Sequence, residues 1–131
     1  MITSKLGYLG QPLKLIPWGK LTPVYMYEGT YSREAISALV ENPQNRTAAV
    51  NSVVEANGGK LLGCWMAFGE YDLVAIADMP DDEAMAGVSL AVSAAGTASR
   101  SKTTKLLTMD QAVESMKNAQ GVVKSYSPPS K

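Results

Sequence analysis

Asp72 stands at the head of an apolar, β-prone run, a place where a carboxylate is disfavoured unless something bonds to it. Its neighbour Tyr71 joins an aromatic body to a hydroxyl, so the two can orient a small molecule or, with Asp72 as base, move a proton. The structural alternative has Asp72 accepting bonds from the adjacent turn or pairing with Arg46, Arg100 or Lys102, and ion-pair networks perturb carboxylates as readily as active sites do. Tyr25, Tyr27 and Tyr31 recur at even spacing, and with Trp65 they can either line a cavity for a flat apolar molecule or fill an interface. The candidate ligand-binding set is therefore Tyr25, Tyr27, Trp65, Tyr71, Asp72 and Arg100, with Asp72 the sole catalytic candidate. Asp78, Asp81, Asp82 and Glu83 have the chemistry to hold Mg²⁺ or Ca²⁺, but acidic residues around a proline also suit the start of a helix. Capping is the preferred role, and no metal is expected.

Composition removes most other chemistries. Without histidine there is no Ser-His-Asp or Cys-His machinery and no histidine-held haem, zinc or copper. No glycine-rich phosphate loop occurs, so no nucleotide cofactor is expected, and none of another kind is indicated. Twelve basic residues balance twelve acidic ones and the cations are dispersed, which argues against nucleic acid as a partner. No stretch of about 20 apolar residues is present to insert in a membrane. A secretory pattern is lacking at residues 1–20, and Cys64 is a lone thiol inside an apolar run. A cytoplasmic protein fits these features.

The elements that must position the candidates follow from hydrophobic period. Residues 23–31 alternate as a strand, with Val24, Met26 and Glu28 on one face and Tyr25, Tyr27, Gly29 and Tyr31 on the other. Ser32 can cap a helix striped by Ile36, Leu39 and Val40. Pro43 interrupts it, so a second piece carrying Ala49, Val50, Val53 and Val54 is expected, ended by Asn57, Gly58 and Gly59. Two apolar runs, 61–68 and 71–77, flank Gly69 and Glu70, the spacing of a two-residue hairpin in which Gly69 supplies the positive φ of a type II′ turn. A third helix follows the acidic run with Met85, Val88, Val92 and Ala95 on its core face, and Gly96 stops it. Residues 97–107 read as a fourth strand, and Thr108-x-x-Gln111 as the capping box of a short further helix.

The order β, α, β, β, α, β, with one hairpin and two helical crossovers, belongs to the α+β class. It is solved by a ferredoxin-like βαββαβ plait: a four-stranded antiparallel sheet with its main helices on one face. Residues 1–21 form an N-terminal arm outside the plait, 22–119 the domain with its extra C-terminal helix, and 120–131 a flexible tail. Tyr8, Leu13, Leu15, Ile16 and Trp18 make the arm apolar enough to dock on this chain or a neighbour. A loosely ordered start is the alternative. In strand two Leu61, Trp65 and Ala67 alternate with Leu62, Cys64, Met66 and Phe68, and in strand three Leu73, Ala75 and Ala77 with Val74 and Ile76. Both sheet faces are thus apolar, and helices can cover only one. A second copy packed sheet to sheet is the expected cover, which makes the chain a homo-oligomer.

At Gly69-Glu70-Tyr71-Asp72, continuing Leu-Val-Ala-Ile, the chain resembles the GYD-domain family, small bacterial proteins with a Gly-x-Tyr-Asp signature. The likeness extends over 22–119 and takes in Gly58-Gly59-Lys60 and Pro80-Asp81-Asp82-Glu83. Members often carry a basic residue and threonines in the last strand, where Arg100, Lys102, Thr103 and Thr104 stand here. The resemblance implies a ferredoxin-like fold similar to the dimeric α+β barrel group, whose members include cofactor-independent monooxygenases and structural oligomers. The expectation is a non-catalytic homo-oligomeric structural, accessory or small-molecule-binding protein that assembles through its sheet face and arm. The alternative is a cofactor-independent enzyme, monooxygenase- or isomerase-like, acting on a small apolar or aromatic molecule with Asp72 as base.

Overall fold

The computed structural model describes residues 23–130, and the expected arm at 1–21 lies outside the described residues. The chain runs through β1 (Val24–Tyr31), α1 (Arg33–Glu41), α2 (Thr47–Ala56), β2 (Lys60–Met66), β3 (Leu73–Asp78), α3 (Asp82–Ala94), β4 (Ala98–Leu106) and α4 (Met109–Val122). The four strands form one antiparallel sheet in the order β2-β3-β1-β4, the arrangement of a ferredoxin-like plait.

Local chemistry accounts for the element ends. Ser32 Oγ accepts from the Ala35 N–H at 3.1 Å and starts α1, Asp81 Oδ1 accepts from the Ala84 N–H at 2.8 Å and starts α3, and Thr108 with Gln111 forms the capping box of α4. Gly58 and Gly96, at φ 82° and 76°, turn the chain out of α2 and α3 in the left-handed conformation that costs glycine little. Pro43 does not open the second helix. It lies in the linker from α1, and α2 begins at Thr47, whose N–H is taken by Asn45 Oδ1 at 2.9 Å.

The core fills the space between α2, α3 and one sheet face. Tyr25 and Tyr27 of β1 stand beside Ala77 and Ala75 of β3, and Val54, Met79, Met85 and Val88 close over them. Small residues on β3 leave room for the phenol rings. This face is covered by the molecule's own helices, which corrects the idea that Tyr25 and Tyr27 share a partner-facing cavity with Trp65. Trp65 pairs with Val74 on the opposite face and lays its indole over Gly63. A bulge between Leu61 and Gly63 explains the difference. Simple alternation puts Leu61 with Trp65, whereas the extra residue returns Leu61 to the helix side with Cys64 and leaves Trp65 on the other.

Two further departures are local. The β2–β3 connection is longer than a two-residue turn: Ala67 N–H still donates to the Asp72 carbonyl at 2.7 Å, so residues 68–71 form the loop, and Gly69 has no positive φ. At the C-terminus α4 continues to Val122 and a 3-10 turn follows at Val123–Ser125, so ordered helix replaces the first residues of the expected tail. Met109, Val113, Met116 and Val122 of α4 are all exposed.

Candidate functional site

Three polar clusters and one cavity carry the candidate chemistry. The first cluster is the 68–71 loop and the strand ends beneath it. The β1–β4 pairing shifts by one residue between Thr30 and Tyr31, and β3 begins only at Leu73, opposite Gly29. The Tyr31 N–H therefore has no strand carbonyl facing it from β3, and the Asp72 carboxylate takes that place, accepting from it through Oδ2 at 2.9 Å. The Asp72 N–H donates to the Gly29 carbonyl at 2.8 Å. Asp72 thus extends the β1–β3 ladder with its side chain.

Around it, the Thr30 hydroxyl donates to the Glu70 carbonyl at 2.9 Å, and Arg100 reaches the Glu70 carboxylate at 3.7 Å while lying over the Tyr71 ring at 5.4 Å from its centre. The structure brings Tyr71, Asp72 and Arg100 together, but Arg100 serves Glu70 and Tyr71 rather than Asp72. Replacing Asp72 with alanine is expected to cost about 2 kcal/mol, because the Tyr31 N–H would lose a charged acceptor. Asparagine, which keeps an oxygen there, is expected to cost less than half of that. Urea titration of both variants checks it, and equal losses would contradict this role. Nothing in the structure explains Gly69: a Cβ there would meet open space. Gly69→Ala is accordingly expected to change stability by less than about 0.5 kcal/mol in the same titration.

The second cluster joins Tyr25 to the start of α3. The Tyr25 hydroxyl donates to Asp82 Oδ1, and Lys105 Nζ donates to the same oxygen at 3.0 Å while lying 5.8 Å from the Tyr25 ring centre. The Tyr25 bond, with Lys105 beside it, holds the Asp82 carboxyl below its ordinary range. Burial, followed by the nearby Asp82, pushes the Tyr25 phenol upward, so the phenol stays a donor. For a carboxyl depressed by folding, the stabilisation is present above its unfolded pKa and is lost as pH falls through the folded one. The stability gap between wild type and Tyr25→Phe is therefore expected to be larger at pH 6 than at pH 3, read by denaturant titration at each pH. An unchanged gap would contradict the coupling. The third cluster, the acidic run, is occupied in capping α3, with Asp82 and Glu83 in its first turn. Among the described residues no group of three His, Cys, Asp or Glu is placed to hold a metal ion.

The cavity lies between α2, α3 and the sheet, with a volume of about 250 Å³. Val50, Val53, Leu73, Val88 and Val92 make its walls apolar, and Tyr27, Tyr31, Arg46 and Thr97 also line it. Tyr31, Arg46 and Leu73 border a second, more open hollow under α1 as well, so they stand between the two. Tyr27 is 5% exposed, and its hydroxyl makes no hydrogen bond of good geometry, although the Ser101 side chain stands close to it. Burial raises the Tyr27 and Tyr31 phenols and the Cys64 thiol, which leaves Cys64 a poor nucleophile at neutral pH. Neither Asp72, Tyr71 nor Arg100 lines this cavity, and Tyr25 and Trp65 lie outside it. Of the tyrosines and the tryptophan that the sequence offered as cavity-lining residues, Tyr27 and Tyr31 belong to it. Arg46 and Thr97, from a linker and a strand entry, had no periodic signal to reveal them.

The GYD domain profile matches residues 25–116, a stretch that contains the hairpin with its Tyr71-Asp72 anchor. The chain belongs to the GYD domain family. No curated protein matches it. The matched region spans the sheet, α1 to α3 and the first half of α4, so the loop cluster and the cavity both lie within the GYD domain. Among the described residues no helix is long and apolar enough to cross a membrane.

Proposed function

We propose that this GYD domain protein is a non-catalytic homo-oligomer that pairs through its open sheet face and holds a small molecule in the helix-side cavity of each protomer. The observation that carries the assembly is the character of the open face. Met26, Val74, Ile76, Thr104 and Trp65 occupy its middle by register, while Glu28, Lys60, Arg100 and Lys102 stand around them. An apolar centre inside a charged rim is the anatomy of a protein interface.

Four strands about 4.8 Å apart and roughly 25 Å long give a footprint of about 500 Å². A standard interface uses about 800 Å² per partner. Met109, Val113 and Met116 of α4 are exposed as well and add to the apolar surface available for association. A second copy of the chain answers this surface best, because a twofold axis through the apolar centre would set it against its own copy and the charged rim against a charged rim.

The catalytic alternative draws little support from the geometry, since the Asp72 carboxylate is committed to the Tyr31 N–H and stands away from the cavity. Cytoplasmic residence and an accessory role belong to the same proposal. Sedimentation equilibrium of the full chain over a range of micromolar concentrations tests it. The expected mass is a multiple of 13.9 kDa, and a single 13.9 kDa species throughout would overturn the assembly.

A further inference from the structure

The helix-side cavity has two unlike ends. Toward Ala77 and Met85 its lining is wholly apolar, whereas at the end of β1 and the start of α2 it meets Tyr31, Thr97 and the Arg46 guanidinium. Tyr27 leans toward that polar end, because its hydroxyl and ring edge lie about where a side chain on Gly29 would project, 2.9–3.2 Å from such a Cβ. A buried hydroxyl without a well-formed bond is costly unless a ligand or water completes it, and with only the Ser101 side chain close by this phenol can donate to an acceptor in the cavity. Arg46 is held on one side by Gln44 Oε1 at 3.0 Å, and among the described residues no carboxylate pairs with it. It stands at the N-terminal end of α2, where the helix dipole also favours negative charge.

From this arrangement we infer that the cavity binds a small apolar carboxylic acid, its hydrocarbon part among the valines of α2 and α3 and its carboxylate between Arg46 and the Tyr27 hydroxyl. One guanidinium and no lysine in the lining suit a monoanion rather than a phosphate ester. An apolar hole of about 150 Å³ takes benzene, so about 250 Å³ corresponds to roughly eight to ten carbon atoms. The inference rests on the small-molecule half of the proposed function and is independent of the assembly half.

Calorimetric titration of the full chain with octanoate and with octanol tests it. Both are expected to bind, octanoate about tenfold more tightly. Arg46→Gln is expected to erase the preference while leaving octanol unchanged. Tyr27→Phe is expected to weaken octanoate severalfold and at the same time to raise the melting temperature of the unliganded protein, since it removes a buried hydroxyl without a well-formed bond. Val92→Phe, which fills the chamber, is expected to abolish binding of both. Equal affinity for the two probes would overturn the acid as ligand class while keeping the chamber as a binding site. Absence of binding by either at millimolar concentration would overturn both the inference and the small-molecule part of the proposed function. Octanoate binding that ignores both Arg46→Gln and Val92→Phe would place the molecule elsewhere and overturn the inference.

Discussion

Ile76→Lys is expected to convert the assembled protein into a folded monomer. Ile76 stands between Met26 and Gly63 at the centre of the open sheet face, on the side away from the core of Tyr25, Tyr27 and Val54. The protomer loses little, because a lysine there reaches water in the free chain. In a twofold assembly the substitution brings two ammonium groups into the apolar centre, where an uncompensated charge costs at least about 3 kcal/mol. That corresponds to roughly a hundredfold or more in the dissociation constant. Sedimentation at a fixed concentration, with circular dichroism to confirm folding, reads the result. A folded Ile76→Lys protein that keeps the wild-type mass would show that the contact lies elsewhere.

Met79→Ala is expected to be the most damaging single truncation of the protomer, at about 3 kcal/mol, with a fall in melting temperature of roughly 12 °C or more. Met79 is fully buried and follows β3, its N–H donating to the Pro23 carbonyl at 2.9 Å. Its side chain lies on Gly59, where a Cβ would also come within 2.8 Å of the Asp78 carbonyl oxygen. The thioether thus fills the junction of α2, β2 and β3, and its removal leaves a void among Val54, Met85 and the sheet. Thermal unfolding of the variant checks the size of the effect. A shift of only a few degrees would mean that the junction collapses around the void.

The fold was largely legible because its signals are local and agree with one another. Ser32, Asp81 and the Thr108–Gln111 box start helices, Gly58 and Gly96 end them, and Val54, Met85 and Val88 fall on stripes of helical period. The site was less legible because its determinants are register and partnership, which no period encodes. A single bulge in β2 separates Trp65 from Leu61, and a four-residue loop replaces the expected tight turn. The signature aspartate was visible as an anomaly, yet its partner, the Tyr31 N–H, lies 41 residues away in sequence and is left to it because the β1–β3 ladder ends at Gly29 and Leu73. Even spacing showed that Tyr25, Tyr27 and Tyr31 share a face. That the face looks inward depends on Ala75 and Ala77 of another strand.

Mixed-label NMR puts the pairing of sheets to the most direct trial. In a sample made half from methyl-labelled and half from unlabelled chains, isotope-filtered spectra are expected to show contacts from the Met26, Val74 and Ile76 methyl groups to protons of a neighbouring chain. Spectra lacking such contacts at these three residues, while methyl groups elsewhere on the surface display them, would contradict association through this face.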